Sequence, residues 1–205
     1  MQIGLLIVRF PTYCFRMQNY PNLETLVLAS ASPRRRELLS SLGVEFSVEV
    51  PRIDETARAG EPPRAFAERL AAEKAGAIAA PAGTVLVAAD TIVVHEGRIL
   101  GKPEDDAHAF EMLSGLSGKA HEVVTGVCVK RDERTELFSV ATEVFFRELE
   151  PCEIKAYIAT GCPMDKAGAY AIQGGAAHMV RAINGSYTNV VGLPLCELHE
   201  TLISF

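Results

Sequence analysis

Long hydrophobic runs are missing from this chain of 205 residues, where no apolar stretch approaches the ~20 residues needed to span a bilayer. The opening Met1-Gln2-Ile3-Gly4-Leu5-Leu6-Ile7-Val8 has no basic flank before it and no small-residue cleavage site soon after, so it does not read as a secretory leader. The expectation is a soluble, cytoplasmic protein with no membrane partner. Excess positive charge is also missing. Twenty Lys and Arg stand against 26 Asp and Glu, a net charge of -6, and a nucleic-acid coat needs a basic surface. Nucleic acid is therefore not an expected partner, although a local basic pocket for a small anion stays open.

Cysteine is sparse and odd in number. Cys14, Cys128, Cys152, Cys162 and Cys196 form no C-x-x-C pair, which leaves neither a zinc site nor a full disulfide framework and suits a reducing compartment. The five histidines, His95, His108, His121, His178 and His199, show no ligand spacing and receive no catalytic role. There is no Walker-type loop G-x-x-x-x-G-K-[ST], no internal repeat, and no Ser or Cys with an evident His partner for covalent catalysis.

What is present is a 48% hydrophobic chain long enough to bury a core. Leu26 to Ala29 reads as a short buried strand. Ser32 then caps a helix with Pro33 at its first position, which ends near Gly43. Val44 to Val50 alternates as a strand, Pro51 to Thr56 is a loop, and Pro62-Pro63 opens a helix to about Ala80 with Phe66, Leu70, Lys74 and Ile78 on one face. Val85 to Val94 is a buried strand interrupted by Asp90-Thr91, and Gly97 turns it back towards Ile99-Leu100.

A helix from Pro103, strands around Glu122–Lys130 and Leu137–Phe146, and a helix from Pro151 to about Thr160 follow. A Gly-rich stretch, a strand near Ala177–Ile183 and a closing helix from Pro194 complete the chain. Strands and helices alternate, so the class is α/β, and the hairpins argue for a mixed sheet in a single unit with a cleft. Residues 1–24 show no clear period, and Met17 offers an internal start, so they are an extension or a misplaced start before a domain spanning 25–205.

The sharpest anomaly is Arg34-Arg35-Arg36 in a first helical turn, where cations oppose the helix dipole at about 0.3–1 kcal/mol each. A phosphate held by backbone N–H groups, the Ser30 and Ser32 hydroxyls and guanidinium forks would resolve it; arginines bending into solvent would too. Asp90 is the second anomaly. A carboxylate inside an apolar run costs several kcal/mol unless paired, so it needs a cation or a local capping role.

Lys74 on the apolar stripe and Lys102 between Gly101 and Pro103 are the matching cations, unless the first snorkels and the second is an ordinary loop residue. Glu55 could add oxygens for a hard cation such as magnesium. Basic groups to hold a triphosphate, a divalent ion and a carboxylate base together suit phosphoanhydride hydrolysis.

Five segments in order carry a resemblance. They are Ala29-Ser30-Ala31-Ser32-Pro33-Arg34-Arg35-Arg36-Glu37-Leu38-Leu39, Ala89-Asp90-Thr91-Ile92-Val93, Gly101-Lys102-Pro103, Asp165-Lys166-Ala167-Gly168-Ala169-Tyr170, and Asn184 through Val190-Val191-Gly192-Leu193-Pro194. Together they resemble the Maf family of nucleoside triphosphate pyrophosphatases. The resemblance implies an elongated α/β, ITPase-like mixed sheet flanked by helices, two lobes around a deep cleft, a divalent metal (Mg2+ or Mn2+), frequent homodimers, and cleavage of a nucleoside triphosphate to monophosphate and pyrophosphate.

The same resemblance implies a catalytic group of Asp90 as proton acceptor with Glu55, Lys74 and Lys102, and Glu55 and Asp90 as metal ligands. Ser30, Ser32, Arg35, Lys74 and Lys102 match phosphate-holding positions. Arg34, Thr91 and Gln173 match the specificity positions of the branch acting on dTTP and UTP, and a Gln amide can pair with the imide edge that uracil and thymine share. The alternative is a non-catalytic nucleotide-binding regulator of septum formation.

Overall fold

The apolar run from Val85 does not stop at Asp90. In the computed structural model, which describes Tyr20 and residues 23–205, it is one continuous strand, β3 (Val85–His95), buried at almost every position. Around it, β1 (Leu26–Ala29), β2 (Ser47–Glu49), β4 (Arg98–Leu100), β5 (Ala120–Arg131), β6 (Arg134–Phe146) and β7 (Val180–Asn184) form a seven-stranded sheet in the order β2-β1-β3-β5-β6-β7, with β4 on β3. β1 pairs in parallel with β2 and β3, and every other pairing is antiparallel. The mixed α/β sheet matches the expected class.

Helices α1 (Pro33–Ser40), α2 (Pro63–Gly76), α3 (Asp106–Leu116), α4 (Pro151–Ile158), α5 (Tyr187–Val191) and α6 (Leu195–Ser204) flank the sheet. The period-two alternation of β3 sorts its neighbours. Ala88 and Ile92 meet the Ala71, Ala75, Phe66 and Leu70 side chains of α2, whereas Ala89 packs with Leu39 of α1 and Leu198 of α6, and Val93 with the α3 and α4 cluster. Asp90 therefore points to the α2 face and Thr91 to the opposite one.

Two features of β3 create the site. On one edge it is paired continuously with β5, from Leu86 to Val94. On the other, β1 ends its pairing at Ala88 and β4 begins at Val93, so Ala89 to Ile92 face a notch in the sheet. At the same level Gly126 of β5 lies opposite Asp90, and a Cβ built there would be 2.4 Å from the Ala67 backbone. The absence of a side chain lets α2 lie directly on the sheet.

Several boundaries differ from the sequence reading for local reasons. The expected strand over Val44–Val50 shrinks to Ser47–Glu49 because its partner β1 has only four residues. α2 ends at Gly76 rather than near Ala80, since Gly76 is a poor helix former and Pro81 biases Ala80 away from helix. Ile78 thus lies past the helix. α3 starts at Asp106, not Pro103, because Asp105 is the cap and accepts from His108 N at 2.8 Å.

β7 begins only at Val180, after a 3-10 turn at Ala177–Met179. α5, capped by Ser186, was not expected at all. Most of the expected extension, together with Met17 and Cys14, lies outside the described residues. Tyr20 and Leu23 pack beneath α6, with the Tyr20 hydroxyl 2.5 Å from His199 Nδ1.

Because Gly126 is the point of closest approach, Gly126→Val should lower stability by about 1–3 kcal/mol or more. Gly115→Ala, in an open position on α3, should leave stability unchanged or raise it by up to about 1 kcal/mol. Urea denaturation midpoints of the two variants check both outcomes.

Candidate active site

The notch opens into a cleft of about 680 Å3 lined by the β1–α1 turn, Glu55, Lys74, Asp90 to Val93, Gly101-Lys102, Asp165-Lys166, Tyr170 to Gln173 and Val190 to Gly192. Every residue assigned to the site from sequence lines it: Ser30, Ser32, Arg34, Arg35, Glu55, Lys74, Asp90, Thr91, Lys102 and Gln173. Five cationic side chains, Arg34, Arg35, Lys74, Lys102 and Lys166, face three carboxylates, Glu55, Asp90 and Asp165. The cleft thus reverses the sign of the chain's net charge.

The turn after β1 forms as its residue types dictate. Ser32 is extended, its hydroxyl accepts from Arg35 N at 3.4 Å, and Pro33 starts the helix. The three arginines then diverge, with Arg36 exposed and Arg34 and Arg35 turned to the cleft. Arg35 finds protein partners: Nε donates to the Gly192 carbonyl at 2.8 Å, Nη2 to Thr91 Oγ1 at 2.9 Å, and Nη1 to Ser30 Oγ at 3.4 Å. Burial holds its guanidinium below its ordinary value, with Asp90 opposing that shift and Arg34 adding to it. The helix-dipole conflict is thus partly offset by a carbonyl 157 residues away in sequence.

Behind Arg35 a polar chain runs into the core. Thr91 Oγ1 is 2.9 Å from Thr125 Oγ1, and Thr125 donates to the Asn189 carbonyl at 3.1 Å. Asn189 Nδ2 donates to the Val123 carbonyl and to Thr142 Oγ1, and Asn189 and Thr125 are fully buried. Sequence reasoning missed both residues. Thr125 carried the same signal as Asp90, a polar residue breaking an apolar run, and Asn189 stands three residues after Ser186, the spacing of the helix cap it completes.

Asp90 has the partner its burial demands. Lys74 Nζ lies 2.5 Å from Asp90 Oδ1 and 2.7 Å from Glu55 Oε1. Lys74 is buried in the last turn of α2, where a cation also complements the helix dipole, so it does not snorkel to water. Burial would raise the Glu55 carboxyl, but Lys74, with Lys102 and Arg35, more than offsets this and holds it below its ordinary value. Lys102 reaches the cleft because β4 ends at Leu100 and delivers Gly101-Lys102 to the notch.

The far wall carries Gln173, half-buried, on a segment anchored just ahead of it. Gly168, at φ 67°, donates its N–H to the Gly101 carbonyl at 3.0 Å, and Val93 leaves no room for a Cβ there. Asp165 and Lys166 form an ion pair, and that contact, together with Arg34, holds the Asp165 carboxyl below its ordinary value. Tyr170 is 2.8 Å from buried His121 Nε2, and both rings stack edge-on against Phe146.

Among the described residues no group of three or more His, Cys, Asp or Glu could hold a metal by itself. Of the three cleft carboxylates, Glu55 and Asp90 meet at one point, the Lys74 ammonium, and such a pair fits a magnesium-like ion that takes one or two carboxylates and completes its shell with phosphates and water.

Fold and site define a mixed α/β protein whose sheet is notched to admit a small polyanion beside a buried carboxylate–lysine pair. Residues 25–205 match the family model described as Maf-like protein, and the chain belongs to that family. It is 61% identical over 180 residues to the dTTP/UTP pyrophosphatase of Geobacter sulfurreducens, covering 86% of this chain and 94% of the relative. It is also 48% identical over 185 residues to the dTTP/UTP pyrophosphatase of Photorhabdus laumondii, covering 89% and 95%. Among solved structures, a HAM1 protein from Coxiella burnetii covers 88% of this chain and 99% of its own at 18% identity and a TM-score of 0.46.

Burial, reinforced by His95, pushes the His121 imidazole down to about 4 from 6.5. The folded protein keeps this ring neutral while the unfolded chain binds a proton below 6.5, so its contribution is present above 6.5 and lost as pH falls towards 4. Stability measured across that window should fall with acidity, and His121→Phe should flatten the fall.

Proposed function

We propose that this protein is a nucleoside triphosphate pyrophosphatase that hydrolyses dTTP and UTP to the monophosphate and pyrophosphate, using a divalent cation, Mg2+ or Mn2+. The observation that carries the reading is Asp90, buried at the notch, hydrogen-bonded to Lys74 and surrounded by an excess of cationic side chains. An isolated buried acid would be a liability; one held against an ammonium at the floor of a polyanion cleft is a base placed beside its substrate.

The roles follow from position. Ser30, Ser32 and Arg35 around the start of α1 and Lys102 from the end of β4 line the cleft and hold phosphate oxygens, where charge-assisted hydrogen bonds are strongest. Glu55 and Asp90 would hold the divalent ion, which when bound neutralises phosphate charge and lowers the pKa of a ligated water. Asp90 accepts the proton of the attacking water, and Lys74 stabilises the charge that Asp90 and the phosphates share. Gln173, on the opposite wall, meets the base. Its amide offers one donor and one acceptor to the imide edge of uracil or thymine, and Arg34 and Thr91 are the other two cleft residues that select the nucleotide.

Among the described residues no helix is long and apolar enough to cross a membrane. The sparse cysteines, with no C-x-x-C pair, and the net negative charge support a cytoplasmic protein acting on free nucleotides rather than on nucleic acid, and the family resemblance supports a homodimer.

Turnover of a panel including dTTP, UTP and 7-methyl-GTP with Mg2+ or Mn2+, separating pyrophosphate from orthophosphate, tests the reading. Pyrophosphate should appear from dTTP and UTP, and Asp90→Asn should fold normally yet lose about 100-fold or more of the turnover. Release from no triphosphate would favour a nucleotide-binding regulator, and full activity in Asp90→Asn would remove Asp90 as the base.

A further inference from the structure

The contact between Lys74 and the two acids has a geometry of its own. The ammonium is 2.5 Å from one carboxylate and 2.7 Å from the other, its side chain is 11% exposed, and these are the two ion pairs it makes among the described residues. It therefore bridges the same two carboxylates that are the donor set for a divalent ion. We infer that Lys74 is the resident cation of the Glu55–Asp90 pair in the nucleotide-free protein, and that the divalent ion takes this place only by exchange with the ammonium. The inference rests on the reading of the cleft as a metal-dependent pyrophosphatase site.

Charge makes the exchange conditional. Two carboxylates and one ammonium leave one negative charge, and adding a divalent ion without releasing Lys74 would bring a dication against a buried monocation in a partly dry cleft. A triphosphate removes the conflict because its oxygens offer the ammonium a second anion and complete the shell of the metal. Lys74 then moves from the carboxylates to the phosphates, and Asp90 is released from its lysine when substrate is present. Glu55 is the exposed side of the bridge, 54% accessible on a loop, whereas Asp90 is 12% accessible in the middle of β3. Metal and nucleotide thus bind as a unit, and neither is held strongly without the other.

The experiment is a Mn2+ titration of the full chain without nucleotide, read by the spin signal of free Mn2+, for the wild type, Lys74→Met, Lys74→Gln and Lys102→Met. Met suits the apolar stripe of α2 and Gln keeps a polar end, so the two variants fail differently if folding is at fault, and circular dichroism decides which are native. Both Lys74 variants should bind Mn2+ about tenfold more tightly than the wild type, Lys102→Met should gain less, and adding Glu55→Gln to Lys74→Met should abolish the gain. Equal or weaker Mn2+ binding by native Lys74 variants overturns the exchange. The pyrophosphatase reading stands or falls separately on pyrophosphate release by the wild type, so a wild type that turns over dTTP without a gain in the Lys74 variants rejects the exchange alone.

Discussion

The Lys74–Asp90 contact is the interaction on which the rest of the molecule depends. A carboxylate in the middle of a long buried strand is tolerable only with its counter-charge, because an ionised acid left alone there costs several kcal/mol, whereas losing the carboxylate still leaves Lys74 its Glu55 partner. The counter-charge arrives on α2, which can come close enough only because Gly126, directly across from Asp90, has no side chain. One missing Cβ in β5, one lysine on a helix and one acid in β3 are therefore a single constraint expressed on three elements.

The second constraint is topological. β3 exceeds the combined reach of β1 and β4 on one edge, and the resulting notch exposes Asp90 and Thr91 to the same cleft although they point to opposite faces of the sheet. The face opposite α2 is stiffened by hydrogen bonds from Arg35 through Thr91 and Thr125 to Asn189. They join the first turn of α1 to α5, the short helix before the last one. The start of α1 and the C-terminal segment around α5 are thus held by common partners.

Much of this was legible in the sequence because it broke local rules. Asp90 in an apolar run, Lys74 on an apolar stripe and three arginines at a helix start each contradicted the pattern around them, and Asp90, Lys74, Arg34 and Arg35 lie in the cleft, whereas Arg36 is exposed. The mixed sheet followed from the hairpin at Gly97. Less visible were features that depend on distant contacts. Nothing near Arg35 announces that Gly192 will accept its hydrogen bond, and α5 is too short at five residues for a periodicity to register. β2 looked longer than it is because alternation in Val44–Val50 could not reveal that its partner strand has four residues. His121 drew no attention because a lone histidine in a strand carries no local signal, and its pairing with Tyr170 spans 49 residues.

The opposite orientation of Asp90 and Thr91 has a consequence for how this strand can change over evolutionary time. Each apolar residue of β3 can be exchanged for another of similar size with only a local cost, but inserting or deleting one residue before Asp90 would rotate the acid away from Lys74 and send it towards Arg35, while Thr91 would face the helix. Charge and hydroxyl would trade sides of the sheet in one step. Outside Asp90 and Thr91, β3 is thus free to drift in composition but frozen in length, and variation in chain length must be absorbed by the loops that leave it.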